Sequence, residues 1–179
     1  MSDRKKIAVF STGYAAIILS QFICGLRKGF AQYRVEIHLF LGFPAYSDTP
    51  EYAKGELNIF NLPDLHDYDG AVLFANTIDQ PGVAAGLVKR CVEAGIPVVS
   101  NGKVLEDAYN IISDNKSGMY EMMEHLIDEH SVQKVCILSG TRDNYDALAR
   151  RDAVIEIMEK RGYPVSEEDI FYSDWSSIK

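Results

Sequence analysis

Short apolar runs without a polar break recur along this chain, among them Ile7-Ala8-Val9-Phe10, Ala71-Val72-Leu73-Phe74 and Val135-Cys136-Ile137-Leu138. A strand reads this way when it is buried on both faces, the condition met inside parallel sheets. The segments between the runs repeat apolar residues at helical spacing, as Leu19, Phe22, Ile23, Leu26 and Phe30 do. Parallel strands cannot be joined by a tight turn, so each needs such a crossover. The alternation predicts an α/β fold with parallel sheets, right-handed crossovers and helices on the sheet faces.

The elements follow in order. A first strand at 6–10 is broken by Ser11-Thr12-Gly13-Tyr14, and a helix spans 15–30. A second strand covers 35–41. Residues 42–65, punctuated by Gly42, Pro44, Pro50, Gly55 and Pro63, are irregular, with a short strand expected near 57–60. A strand at 71–74 leads to a helix over 80–94, capped by Asp79 with Pro81 in its first turn and ended by Gly95. Strands at 96–100 and 109–113 come next, then a helix opening near Gly118. After the run at 135–138 a polar loop precedes a helix carrying Arg150, and Ile170-Phe171-Tyr172 reads as a last strand. KIAVFSTG (6–13) and KVCILSGT (134–141) echo each other as strand, turn and helix opening. That echo suggests two related lobes, over 1–113 and 114–179.

At 179 residues the chain can bury a respectable core, and 47% hydrophobic with 25% charged residues is ordinary for a globular protein. A net charge of −8, with no basic run longer than Arg4-Lys5-Lys6, argues against direct nucleic-acid contact by this segment. The run at 7–10 is too short for a signal sequence, and no stretch approaches the roughly 20 apolar residues of a membrane helix. Cys24, Cys91 and Cys136 show no C-x-x-C spacing and read as small buried hydrophobes of a reducing compartment. The expected location is cytoplasmic.

Catalytic motifs are missing. Ser11-Thr12-Gly13 is neither a G-x-G-x-x-G nor a G-x-x-x-x-G-K-[ST] loop, so no phosphate cradle is present and no cofactor is called for. There is no G-x-S-x-G elbow. His125 and His130 lie five apart, which on a helix puts them on different faces and argues against a metal site.

One ordered set of motifs carries a resemblance. Asp69-Gly70-Ala71-Val72-Leu73, Gly95-Ile96-Pro97-Val98-Val99, Ser113-Asp114-Asn115-x-x-Gly118, His125-Leu126-Ile127 and Arg150 occur in the order found in the sensing domains of LacI-type regulators. The chain therefore resembles that family, whose fold is that of type-1 periplasmic binding proteins. The resemblance implies two α/β lobes with a small polar ligand between them, sugar- or nucleoside-like, and a homodimer. This chain departs from the family's Arg-x-x-Gly-Phe pattern after Arg150, where Arg151-Asp152 is followed by Ala153-Val154 in place of the usual Gly-Phe pair. It reaches 174–176 where roughly 100 residues of a second lobe would still be due, so it reads as a fragment.

Candidate ligand residues sit after strands. Asn144, Asp146 and Arg150 follow the 135–138 strand, Ser11 and Tyr14 follow the first, and Asn76 and Thr77 follow 71–75. Carboxyl ends of strands are where open α/β sheets bind ligands. Arginine offers a rigid fork of donors for hydroxyls or a carboxylate, Asn144 and Asp146 supply acceptors, and the Tyr14 ring could stack on a ligand. Blander roles stay open: Arg150 as a salt-bridged helix residue, Asp146 as a helix cap, Ser11 and Thr12 as turn formers.

Two outputs fit a sensor that starts so near residue 6: a GGDEF diguanylate cyclase, to whose sensors the irregular 55–70 stretch is also similar, or a transcriptional regulator. This segment itself is not expected to be an enzyme. The alternative is a protein-interaction module with a vestigial cleft. The first helix is apolar around much of its circumference, which suggests a homodimer contact. A partial second lobe should expose an apolar sheet face around Val135, Ile137 and Phe171.

Overall fold

The computed structural model describes residues 4–13, 16–44, 49–78, 80–142 and 144–173. The chain divides into two compact units, Met1–Ile112 and Ser113–Lys179. In the first, strands β1 (Lys5–Thr12), β2 (Val35–Gly42), β3 (Gly70–Phe74), β4 (Val98–Asn101) and β5 (Tyr109–Ile111) form one parallel sheet, in the order β2-β1-β3-β4-β5. Helices α1 (Ala16–Gly29), α2 (Pro50–Glu56) and α3 (Val83–Glu93) connect them. The order reverses direction between β1 and β3. That is the topological switch point of a doubly wound sheet, where the loops at the strand ends diverge and leave a crevice.

The unbroken runs of β1 and β3 become its centre: Ala8, Val9, Phe10 and all of Gly70–Phe74 are buried. Phe10 stacks on Phe40 at 5.3 Å and meets Phe60 edge-on at 5.6 Å. The amphipathic face of α3 adds Ala84, Leu87, Val88 and Cys91 to the same core.

Residues 57–61 are a 3-10 helix rather than the expected strand. Leu57 and Phe60 both point into the core, and a spacing of three stacks side chains on one side of a 3-10 turn but splits them across a strand. Arg90 holds the segment down. It donates to the carbonyl oxygens of Phe60 (2.8 Å) and Pro63 (3.4 Å) and to Asn61 Oδ1 (3.1 Å).

Helix α3 starts three residues later than its pattern implied, at Val83, after Gly82 in the left-handed region (φ 77°), so Pro81 belongs to the preceding turn. Asp79, the expected cap, lies outside the described residues. Strands β4 and β5 are shorter than expected, β5 ending at Ile111 before the Ser113-Asp114-Asn115 turn.

In the second unit β6 (Ile137–Ser139) and β7 (Ile170–Tyr172) pair in parallel, with α4 (Ser117–His130) and α5 (Tyr145–Lys160) packed through Met123, Ile127, Val154, Ile157 and Met158. Val135 and Ile137 turn toward this core, not away from it as expected. The exposed face belongs to the cross-strand pair Leu138 and Phe171, 78% and 53% exposed. Strand side chains alternate, so Ile137 inward dictates Leu138 outward. Among the cysteines only Cys91 is buried; Cys24 and Cys136 are exposed, against the reading of all three as core residues. Among the described residues no helix is long and apolar enough to cross a membrane.

Candidate functional site

The carboxyl ends of β1 and β3 are joined by hydroxyl chemistry. Thr77 Oγ1 accepts from the Thr12 backbone N–H (2.9 Å), donates to the Phe74 carbonyl (2.8 Å) and meets Ser11 Oγ at 3.2 Å, while the Thr12 hydroxyl donates to the Thr77 carbonyl. Ser11 is 1% exposed, so its hydroxyl is a tie between strand ends rather than a group reachable by ligand. Thr77 spends its hydroxyl on the same tie. Asn76, on the same 3-10 turn (Ala75–Thr77), is exposed. Tyr14 lies outside the described residues.

Gly102, after β4, packs against Asn76: with φ at 86°, a Cβ there would sit 2.6 Å from Asn76 Cβ. Left-handed backbone costs a non-glycine residue about 1–2 kcal/mol, and the contact is too short to tolerate. Gly102→Ala is therefore expected to destabilise the first unit by at least that amount and to move Asn76. Chemical denaturation and the Asn76 amide resonances measure both; unchanged resonances would show that the close packing does not set Asn76.

In the second unit the loop after β6 ends in Asn144, whose Oδ1 accepts from Ala147 N–H at 2.9 Å. Asn144 is thus the cap of α5, the role left open for Asp146, and its acceptor is already used. Asp146, freed from capping, takes 2.6 Å from Asn115 Nδ2; Asn115 Oδ1 in turn accepts from Arg150 Nε at 2.8 Å. A buried amide so bridges a carboxylate and a guanidinium that stand one helical turn apart.

Asn115 is the residue that sequence reasoning missed as a site member, although Ser113-Asp114-Asn115 stood out as a motif. Neighbouring Asp114 explains its placement. The Asp114 carboxylate accepts from the N–H groups of Lys116 and Ser117 (3.1 Å each) and from Ser117 Oγ (2.6 Å), which opens α4 and keeps its own pKa lowered, the Ser117 hydroxyl being the largest cause.

Beside the bridge lies a cavity of about 350 Å³, lined by Met119, Ser139, Gly140, Ala147, Arg150 and Val154 among others. The buried Ser139 hydroxyl finds no hydrogen-bond partner among the described residues. The mixture of apolar wall and a few convergent polar groups is the usual make-up of a small-molecule site. Arg151, which also lines the cavity, donates to the Tyr172 hydroxyl at 2.7 Å, and the Arg142 guanidinium covers the Tyr172 ring at 3.7 Å.

No protein-family model and no curated protein matches this chain. Solved structures do. A periplasmic ribose ABC transporter protein from Conexibacter woesei superposes with a TM-score of 0.74 at 17% identity, over 97% of this chain and 56% of that one. The chain has the fold shared by periplasmic sugar-binding proteins and LacI-type regulators. A sugar-binding LacI-family regulator from Enterococcus faecalis matches at 0.65 and 19% identity, over 98% of this chain and 59% of that one. The lac repressor dimer, bound to operator and the anti-inducer ONPF, matches at 0.65 and 16%, over 98% and 57%. This chain thus spans less than two thirds of the length of these LacI-type and periplasmic structures.

The histidine reading is corrected as well. His125 and His130, expected on separate faces, approach to 3.3 Å between their Nε2 atoms. His130 is the last residue of α4, and a left-handed Ser131 (φ 55°) ends the helix there, so the ring is not held to the interior helical direction.

Proposed function

We propose that this chain forms part of a ligand-sensing domain that binds a small polar molecule, sugar- or nucleoside-like, in a cytoplasmic signalling protein. The observation that carries the reading is the Asp146–Asn115–Arg150 bridge at the carboxyl end of β6, beside the 350 Å³ cavity. A polyol needs acceptors and paired donors held at fixed spacing. Asp146 provides the first and the terminal amino groups of Arg150 the second, while the buried amide between them removes the freedom that binding would otherwise have to freeze. On the first unit by itself, Asn76 is the polar side chain left exposed at the β1/β3 switch point. The sugar ligands of the structural neighbours support this class. The attached output is proposed as either a transcriptional regulator, the type met among those neighbours, or a diguanylate cyclase.

The test is thermal shift of this chain against a panel of pentoses, hexoses and nucleosides. A ligand at 100 times its dissociation constant adds about 2.7 kcal/mol, which for a chain of this size raises Tm by about 5–10 °C. Arg150→Ala should erase the shift without unfolding the protein. A folded protein with no shift across the panel, measured in the full-length form that carries this chain, would instead favour a protein-interaction module.

A homodimer through α1 belongs to the same proposal. Ile17 and Ile18 are 75% and 56% exposed on successive positions, an apolar patch that a monomer gains nothing by showing to water. Sedimentation equilibrium at tens of micromolar should give a dimer, and Ile17→Glu with Ile18→Glu a monomer. A wild-type monomer at that concentration would remove the idea.

A further inference from the structure

We propose that His125 and His130 form a surface site for one imidazole-preferring divalent transition-metal ion, of the nickel, zinc or copper class. In a regular helix, positions five apart point about 140° away from each other. Here the rings meet instead, with centroids 5.0 Å apart, planes at 78° and both side chains exposed. Only the position of His130 at the very end of α4 allows it. The turn that follows is fixed by backbone bonds from Ser131 to Ile127 (3.0 Å) and Val132 to Leu126 (3.1 Å), so the geometry rests on a defined helix end.

The separation is the argument. Two nitrogens 3.3 Å apart, each about 2.05 Å from a common metal ion, subtend about 107° at that ion. A tetrahedral shell asks for about 109°, so the nitrogen spacing already suits a shared ion, and each exposed ring has only to swing its lone pair from the other nitrogen toward it. Between two neutral imidazoles the same contact is a hydrogen bond, one ring donating and the other accepting. To bind a metal ion the donating ring moves its proton from Nε2 to Nδ1, so that both rings stay neutral and each offers an Nε2 lone pair. Imidazole ligands suit nickel, copper and zinc, whereas magnesium and calcium prefer oxygen, so the site discriminates by ligand type. Among the described residues no third His, Cys, Asp or Glu completes the set. Water fills the remaining positions, which makes this an exchangeable site rather than a structural one. It lies on the second unit and does not depend on the ligand proposed above.

Titration calorimetry of the 179-residue chain with nickel chloride tests it, nickel being chosen because the exposed Cys24 and Cys136 would compete for zinc. One ion per chain is expected, with the heat lost in His125→Ala and in His130→Ala taken singly. It should persist in the Cys24→Ser, Cys136→Ser double variant, and magnesium should give no heat. Both histidines are exposed, so circular dichroism of the variants should match wild type. Nickel heat retained in either histidine variant, or absent from the wild type at millimolar nickel, overturns the proposal.

Discussion

Replacing Phe10 by alanine is expected to lower the stability of the first unit by about 3–5 kcal/mol, the largest effect of any single side chain considered. Phe10 is fully buried at the centre of β1, paired to Phe40 on β2 and to Leu73 on β3. Its ring contacts both Phe40 and Phe60, so truncation opens a void between three elements, one of them the 3-10 segment that Phe60 anchors in the core. Amide exchange is the right probe, because it reads each unit separately: protection in β1–β3 should fall by about two orders of magnitude or more, with β6 and α5 unchanged. Phe171→Ala is the control. That side chain is half exposed on the open face of the second sheet, and its loss should cost about 0.5 kcal/mol or less. Equal losses from the two substitutions would contradict the burial pattern on which the fold rests.

The second large effect is expected at Asn115. Asn115→Ala removes a donor to the Asp146 carboxylate and an acceptor from the Arg150 guanidinium, both hydrogen bonds to charged groups. Such bonds contribute about 1.5–3 kcal/mol each when both partners are dry. Because Arg150 is exposed and water can replace part of what is lost, the expected total is about 2 kcal/mol in the second unit. The effect on ligand response should be larger than that of a surface change, since Arg150 loses the only described contact that orients its fork. Asn115→Asp separates the two halves of the role. It keeps an oxygen for Arg150 Nε but turns a second carboxylate oxygen toward Asp146, where like charges repel. Denaturation together with the ligand panel reads both. An Asn115→Ala chain as stable and as responsive as wild type would show that the bridge is incidental.

The strands and helices of the first unit were legible because burial on both faces leaves a one-dimensional trace. Ile7–Phe10 and Ala71–Phe74 could only be central strands of a covered sheet, and they are. The reversal of strand order between β1 and β3 came only from the structure, but the placement of Ser11 and Thr77 at carboxyl ends of parallel strands was legible for the same reason. What their hydroxyls do was not. A serine after a strand looks the same whether it faces a ligand or a threonine 66 positions away, and here Ser11 faces Thr77.

Local ambiguities were settled by packing. Leu57-Asn58-Ile59-Phe60 satisfies a strand by its alternation of Leu57 with Ile59 and a 3-10 turn by its spacing of Leu57 to Phe60; the core beneath β2 accepted the second. The cap of α5 was a choice between side chains two residues apart, and Asn144 took it because Asp146 was engaged by an amide from across the unit. The contact between His125 and His130 escaped because helical periodicity describes the middle of a helix and not its last residue.

By itself, then, the order of residues determined the parallel α/β architecture and the strand ends at which polar groups gather, and it marked Arg150 as a candidate fork of donors. These follow from solvent exclusion and backbone hydrogen bonding, which act at every position and leave periodic marks. Only the tertiary structure decided which polar atoms are spent on one another and which remain for a ligand. Asn115 reaches Asp146 across 31 residues and Arg150 across 35. Pairing at that range depends on how two helices and a turn are placed, to within a few tenths of an ångström, and no local pattern records it.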